Sequence, residues 1–167
     1  MYALKVNSYI WKSNLNSKID KILKLNGIKL IKLKWNKFDL YKHDKNHFTW
    51  NGYKKFCKDL SKNLKNKKIN NLHIISDSTI DYHNYNKYNQ FTGQANKYLI
   101  EQLQPMKITI DAISGSGFCA KQEYNEDFLS RINKTNKNVL FIGGWNDSNY
   151  FVEDINKSIK KIISVTN

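Results

Sequence analysis

Short apolar stretches alternate with longer amphipathic ones along this chain, and that alternation limits its fold more than any other feature. Residues 2–6 (YALKV), 28–34 (IKLIKLK), 72–75 (LHII), 107–113 (KITIDAI) and 138–142 (NVLFI) are rich in aliphatic and β-branched residues and read as strands. Residues 14–25 place Leu15, Ile19, Ile22 and Leu23 at helical spacing, with Asn26-Gly27 as a stop. Phe56, Leu60 and Leu64 form another helical stripe, and residues 86–104, 121–134 and 151–163 read as further helices. Strands alternating with such helices predict an α/β fold. Strands with little polar alternation predict a parallel sheet buried on both faces. A chain of 167 residues fits one domain. The polar run 63–71, NLKNKKINN, is the expected hinge or linker within it.

Charge is distributed unevenly over these elements. The formal net charge is +14, and residues 1–70 hold 18 Lys against Asp20, Asp39, Asp44 and Asp59, which accounts for all of it. Residues 71–167 are balanced, so the excess forms one basic part that suits an anionic polymer or a docking surface. All but one of the 28 basic residues are Lys; the exception is Arg131. Nucleic-acid readers favour the bidentate guanidinium, so the charge alone does not make this a nucleic-acid-binding chain. The 23 Asn and 19 Ile point instead to AT-rich codons as one source of the lysines. No apolar run approaches the ~20 residues of a membrane span. The first residues lack the apolar core of a secretory signal, and Cys57 and Cys119 read as reduced thiols. A cytoplasmic location is the expectation.

In an open parallel sheet, ligands bind beyond the carboxyl ends of the strands. The residues that follow the strands therefore carry the functional reading. They are Ser76-Asp77-Ser78-Thr79, Ser114-Gly115-Ser116-Gly117, Gly143-Gly144-Trp145-Asn146-Asp147 and, after a short loop, Asp44-Lys45-Asn46-His47. A serine nucleophile needs a base within reach, and His47 can supply it with Asp44 orienting the second ring nitrogen. A glycine-turn N–H and an Asn amide suit a developing oxyanion.

These four blocks resemble the SGNH (GDSL-type) hydrolases. Ser76-Asp77-Ser78 looks like that family's first block with Ser78 as nucleophile, and Ser76 stands where the family has glycine. The resemblance implies Gly115 and Asn146 as oxyanion donors, although the Ser-Gly-Ser-Gly run also permits Gly117. Asp44-x-x-His47 looks like the family's final block, yet here it precedes the nucleophile by 31 residues. A circular permutation accounts for this order. Residues 1–62 then correspond to the family's C-terminal part, 63–71 to the joining linker and 72–167 to its N-terminal part. Met1 and Asn167 should lie near each other. A dimer that exchanges His47 between chains is the rival arrangement. The family resemblance implies a three-layer α/β/α sandwich with a flavodoxin-like five-stranded parallel sheet.

The expected activity is that of a serine esterase acting through an acyl-enzyme on Ser78. Short acyl or O-acetyl carbohydrate esters are favoured, because so short a chain leaves little room for a lid. No metal or organic cofactor is required. Trp145 and Tyr82 are candidate substrate-wall residues. The alternatives are an SGNH-like module that binds RNA or another anionic polymer without catalysis, and an acyltransferase using the same site. Taken singly, each block has an ordinary structural reading as a cap or turn. His43 reads as a solvated loop residue and His73 as a satisfied strand residue. His83, with Tyr82, Tyr85, Tyr88 and Phe91, lines either a substrate site or an amphipathic helix surface. Neither cysteine has a neighbour that would activate it.

Overall fold

A computed structural model describes residues 2–5, 21–32, 40–42, 47–65, 67, 69–121, 126–132, 138–143 and 145–166. The strands are β1 (Tyr2–Lys5), β2 (Lys29–Lys32), β3 (Asn71–Ser76), β4 (Lys107–Ala112) and β5 (Val139–Ile142). The helices are α1 (described over 21–25), α2 (Trp50–Lys65), the single turn α3 (Ser78–Asp81), α4 (Gln94–Leu103) and α5 (Val152–Thr166). Every strand pair is parallel, and the sheet runs β2-β1-β5-β3-β4. The protein is thus α/β with a parallel sheet, as the alternation predicts. None of the described helices is long and apolar enough to cross a membrane.

Two cores flank the sheet. Leu72 and Ile74 of β3, with Leu140 and Ile142 of β5, pack with Phe56, Leu60 and Leu64 of α2 and with Leu99 and Leu103 of α4. Their neighbours Ile75, Val139 and Phe141 point the other way, onto Ile155, Ile159 and Ile162 of α5 and onto Ile22 and Leu23 of α1. Successive residues of β3 and β5 are therefore buried on opposite faces, which explains their unbroken apolar sequences. Each such aliphatic side chain contributes about 1.5–3 kcal/mol on burial.

Three expected boundaries move. The helix read over 86–104 starts only at Gln94. Asn86 Oδ1 accepts from Tyr88 N at 2.8 Å and Gln90 N at 3.0 Å, so its side chain closes a turn where the helix would run. Within 121–134, residues 128–131 form a turn, braced by Ser130 N on Asp127 Oδ1 at 2.8 Å. The expected linker 63–71 is shorter, because residues 63–65 complete α2 and Asn71 opens β3. Met1 and Asn167 lie outside the described residues.

The segments leaving β3 and β5 cover opposite faces of the sheet. After β3 the chain enters α3 and α4 on one face, and after β5 it enters α5 on the other. Neighbouring strands whose connections diverge in this way leave a crevice at their carboxyl ends.

Candidate functional site

That crevice is built first from the end of β3. Ser76 is fully buried and its Oγ donates to Ile142 O at 2.9 Å, so this hydroxyl pins β3 to β5. Asp77 is buried and caps α3, accepting from Thr79 N at 2.8 Å and Thr79 Oγ1 at 2.7 Å. Burial pushes the Asp77 carboxyl up to about 6; the Thr79 hydrogen bonds oppose the shift, nearby Asp147 adds to it, and His47 pulls it down. A side chain on Gly143 would collide with this carboxylate, so the β5 turn passes close only because it is glycine. Ser78 follows as the first residue of α3 and is half-buried. Among the described residues neither its Oγ nor its N–H has a hydrogen-bond partner.

The turn after β4 is held from two sides. Asp81 Oδ2, on α3, accepts from Ser114 N at 3.0 Å and Ser114 Oγ at 2.6 Å. Asn146 Nδ2 donates to Ser116 O at 2.9 Å and lies 3.5 Å from Asp77 Oδ2. Gly115 sits between these anchors, and its N–H has no acceptor among the described residues. The Gly117 N–H, by contrast, is spent on Ala120 O at 3.0 Å. A Cβ on Gly117 would stand 2.5 Å from Asp147 Oδ1. Of the two glycine registers, only Gly115 therefore keeps a donor for a ligand.

His47 comes from the loop between β2 and α2. Leu40 and Phe48 form an antiparallel bridge, and Tyr41 N donates to His47 O at 3.0 Å, which closes that loop. Thr49 Oγ1 then accepts from Gly52 N at 3.0 Å at the start of α2. The His47 ring stacks on Tyr82, four residues beyond Ser78, with centroids 4.3 Å apart. The structure thus brings His47 beside the Ser78 turn of its own chain. Asp44 and His43 lie outside the described residues, and so does the side chain of Trp145.

Three buried groups that the sequence reading passed over hold this edge together. Arg131 Nη2 donates to Ser76 O at 3.1 Å and to Ser116 Oγ at 2.7 Å, while Nη1 reaches Asp111 O at 3.0 Å and Asp111 Oδ1 at 2.9 Å. It stitches the ends of β3 and β4 to the Ser-Gly-Ser-Gly turn. Its sequence signal is its rarity, one arginine among 27 lysines. Asp147, fully buried, accepts from Phe118 N and Cys119 N at 2.8 Å and from Ala120 N at 3.0 Å. Asp81 is the third.

The remaining candidates are structural. His83, in a short 3-10 turn over Tyr82–Asn84, contacts Phe48 O through Nε2 at 2.9 Å, so it braces the start of α2. His73 Nδ1 pairs with Thr109 Oγ1 at 2.7 Å, but its buried Nε2 has no partner among the described residues, so this histidine is only half satisfied there. Burial pushes both cysteine thiols up to about 12, which leaves neither as a thiolate nucleophile near neutrality. A cavity of about 430 Å³, lined by Leu64, Asn71, Met106 and Lys107, opens at the amino ends of β3 and β4, away from this site. Comparison of the chain with protein-family models, curated proteins and solved structures finds no match.

Proposed function

We propose that the protein is a serine ester hydrolase of the SGNH type with a circularly permuted chain. The observation that carries this reading is the double anchoring of Gly115. Ser114 is tied to α3 through Asp81, and Ser116 is tied to Asn146, so the Gly115 N–H, open among the described residues, is held on a turn anchored to the same α3 that the open Ser78 N–H begins. Two backbone donors without acceptors, beside a serine and a histidine, suit a tetrahedral oxyanion. The strand order supports the permutation. Counted from β3 as first strand and from the opposite edge, β2-β1-β5-β3-β4 becomes 2-1-3-4-5, the flavodoxin-like order. Cores on both faces agree with a three-layer sandwich.

In the proposed reaction Ser78 Oγ attacks the ester carbonyl while His47 takes its proton. The Ser78 and Gly115 N–H groups, with the Asn146 amide once it swings from Asp77, hold the oxyanion. His47 then protonates the leaving alcohol. Water, deprotonated by His47, releases the acid and restores Ser78. Asp44 is the proposed partner of the second His47 nitrogen. Because His47 stacks on Tyr82 within one chain, catalysis in cis is favoured over exchange between chains.

The test is p-nitrophenyl acetate turnover and fluorophosphonate labelling of the wild type against Ser78→Ala. Turnover and label that both vanish in the variant support the reading; equal turnover sinks it. Mixing inactive Ser78→Ala with inactive His47→Ala should restore nothing, and recovered activity would point to the exchanged dimer.

A further inference from the structure

His83 takes no part in the proposed reaction, yet it joins two limbs of the site. The helical turn α3 and the 3-10 turn Tyr82–Asn84 run on without a break, because Tyr82 N donates to Ser78 O across their junction. Ser78 and His83 therefore stand on one helical segment, five residues and about 7.5–10 Å of axial rise apart. Consecutive side chains of this segment reach the other parts of the site. Asp81 Oδ2 accepts from Ser114 N and Oγ, at the turn that carries Gly115. The Tyr82 ring stacks on the His47 imidazole. His83 Nε2 lies 2.9 Å from Phe48 O, the carbonyl of the residue after His47. A carbonyl only accepts, so Nε2 carries the proton and donates.

The His83 ring is also fixed by packing. Tyr82 stands edge-on to it with centroids 5.3 Å apart, Tyr53 lies at 5.3 Å with the planes tilted by 43°, and Trp50 stands at 5.5 Å. Trp50 and Tyr53 belong to the first turn of α2, which begins three residues after His47. Burial lowers the His83 pKa, the Phe48 bond opposes that shift, and nearby His47 adds to it. The ring is therefore neutral near pH 7 and sets no second positive charge beside the base.

We propose that His83 is a positioning residue for the base: its Nε2–H holds the Phe48 carbonyl and thereby sets His47 at a fixed distance from Ser78. This role rests on the serine-esterase reading, in which His47 takes the Ser78 proton. The stack on Tyr82 orients the imidazole, while the hydrogen bond from His83 fixes the backbone from which the imidazole hangs. The Leu40–Phe48 bridge and Tyr41 N on His47 O hold that loop to itself. The His83 bond holds it to the segment that carries the nucleophile.

The experiment measures kcat and KM for p-nitrophenyl acetate, the rate of fluorophosphonate labelling and hydrogen exchange of the Tyr41 amide. It compares the wild type, His83→Phe and His83→Gln, with thermal midpoints to establish folding. Phe keeps a ring among Trp50, Tyr53 and Tyr82 but has no donor. The Gln amide nitrogen stands the same number of bonds from the backbone as Nε2 and donates. The expected result for His83→Phe is a kcat lower by about tenfold or more, with KM within about twofold, because a misplaced base slows chemistry and not binding. His83→Gln should return kcat to within about threefold of the wild type, and labelling should follow kcat. Exchange of the Tyr41 amide, which bonds His47 O, should quicken in His83→Phe and not in His83→Gln. Unchanged kcat in folded His83→Phe, or a loss that His83→Gln shares in full, would overturn the proposal, while wild-type turnover leaves the esterase reading standing. A wild type with neither turnover nor label removes the esterase reading, and the positioning role falls with it. Long-range proton–nitrogen spectra of the wild type at pH 7 test the bond without a variant. A neutral His83 protonated at Nε2 is expected, and one protonated at Nδ1 would overturn the proposal.

Discussion

The imidazole of His47 and the ring of Tyr82 lie face to face, with planes 17° apart and centroids 4.3 Å apart. Residues from the two halves of the chain meet in this stack, and Tyr82 C-caps the helical turn that begins at Ser78. The phenol thus fixes the tilt of the proposed base. Aromatic pairs are worth about 0.5–1.5 kcal/mol, which is about 2–12-fold in rate. Tyr82→Phe should keep ester turnover within about threefold. Tyr82→Ala should lower kcat by up to about tenfold, with a smaller change in KM for p-nitrophenyl acetate. Wild-type turnover in Tyr82→Ala would mean the stack does not orient the base.

Arg131 supplies the second expectation. Its side chain is 2% exposed and its guanidinium bonds Asp111, Ser76 O and Ser116 Oγ, joining two strand ends to the turn that carries Gly115. A buried hydrogen bond to a charged group is worth about 1.5–3 kcal/mol, and the Asp111 side chain, 34% exposed, can rehydrate once its partner is gone. Arg131→Met should lower the urea unfolding free energy by about that much. Arg131→Lys keeps the charge but not the fork, and should lose less stability while still misplacing the oxyanion turn. A folded Arg131→Lys enzyme with unchanged kcat would sink the positioning role.

Asp147 is tied to a stability effect of a different origin. Three backbone N–H groups, from Phe118, Cys119 and Ala120, end on its buried carboxylate. Each buried donor left unsatisfied costs about 1–3 kcal/mol. Asp147→Ala should therefore lower stability by at least about 3 kcal/mol, and Asp147→Asn by less, because its amide oxygen still accepts. Gly117→Ala should also destabilise, by about 1–3 kcal/mol, because its methyl meets the same carboxylate at 2.5 Å. Urea midpoints within about 0.5 kcal/mol of the wild type would refute either expectation.

How far the sequence exposed these features depended on the range of the interactions. β3 and β5 were legible because Ile74, Ile75, Leu140 and Phe141 are buried on both faces, leaving unbroken apolar runs. α5 was legible from Ile155, Ile159 and Ile162 on one side. Ser78, Gly115 and Asn146 stood out because each follows a strand end. The start of the helix read over 86–104 was misplaced because the Asn86 side chain, a local competitor for backbone N–H groups, closes a turn before α4 begins at Gln94. The anchors Asp81, Arg131 and Asp147 carry no local pattern. Their partners lie up to 55 residues away and come together only once the sheet forms.

The last expectation concerns acid. Asp77 titrates near 6 in the fold because it is buried, against 3.8 for a free side chain. Between these values the folded state holds the proton more tightly than the unfolded chain. The resulting stabilisation is full below about pH 4 and is lost as the pH rises through 6. Two pK units correspond to about 3 kcal/mol. His73 and His83 act in the opposite sense, since burial lowers both and favours their neutral forms in the fold. Those histidines are shared by the wild type and Asp77→Asn, so they cancel in a comparison of the two. Asn also caps a helix as well as Asp does. The stability of the wild type relative to Asp77→Asn should therefore fall by about 2–3 kcal/mol between pH 4 and pH 7, measured by urea unfolding. A difference that stays constant across this range would mean that Asp77 is ionised throughout.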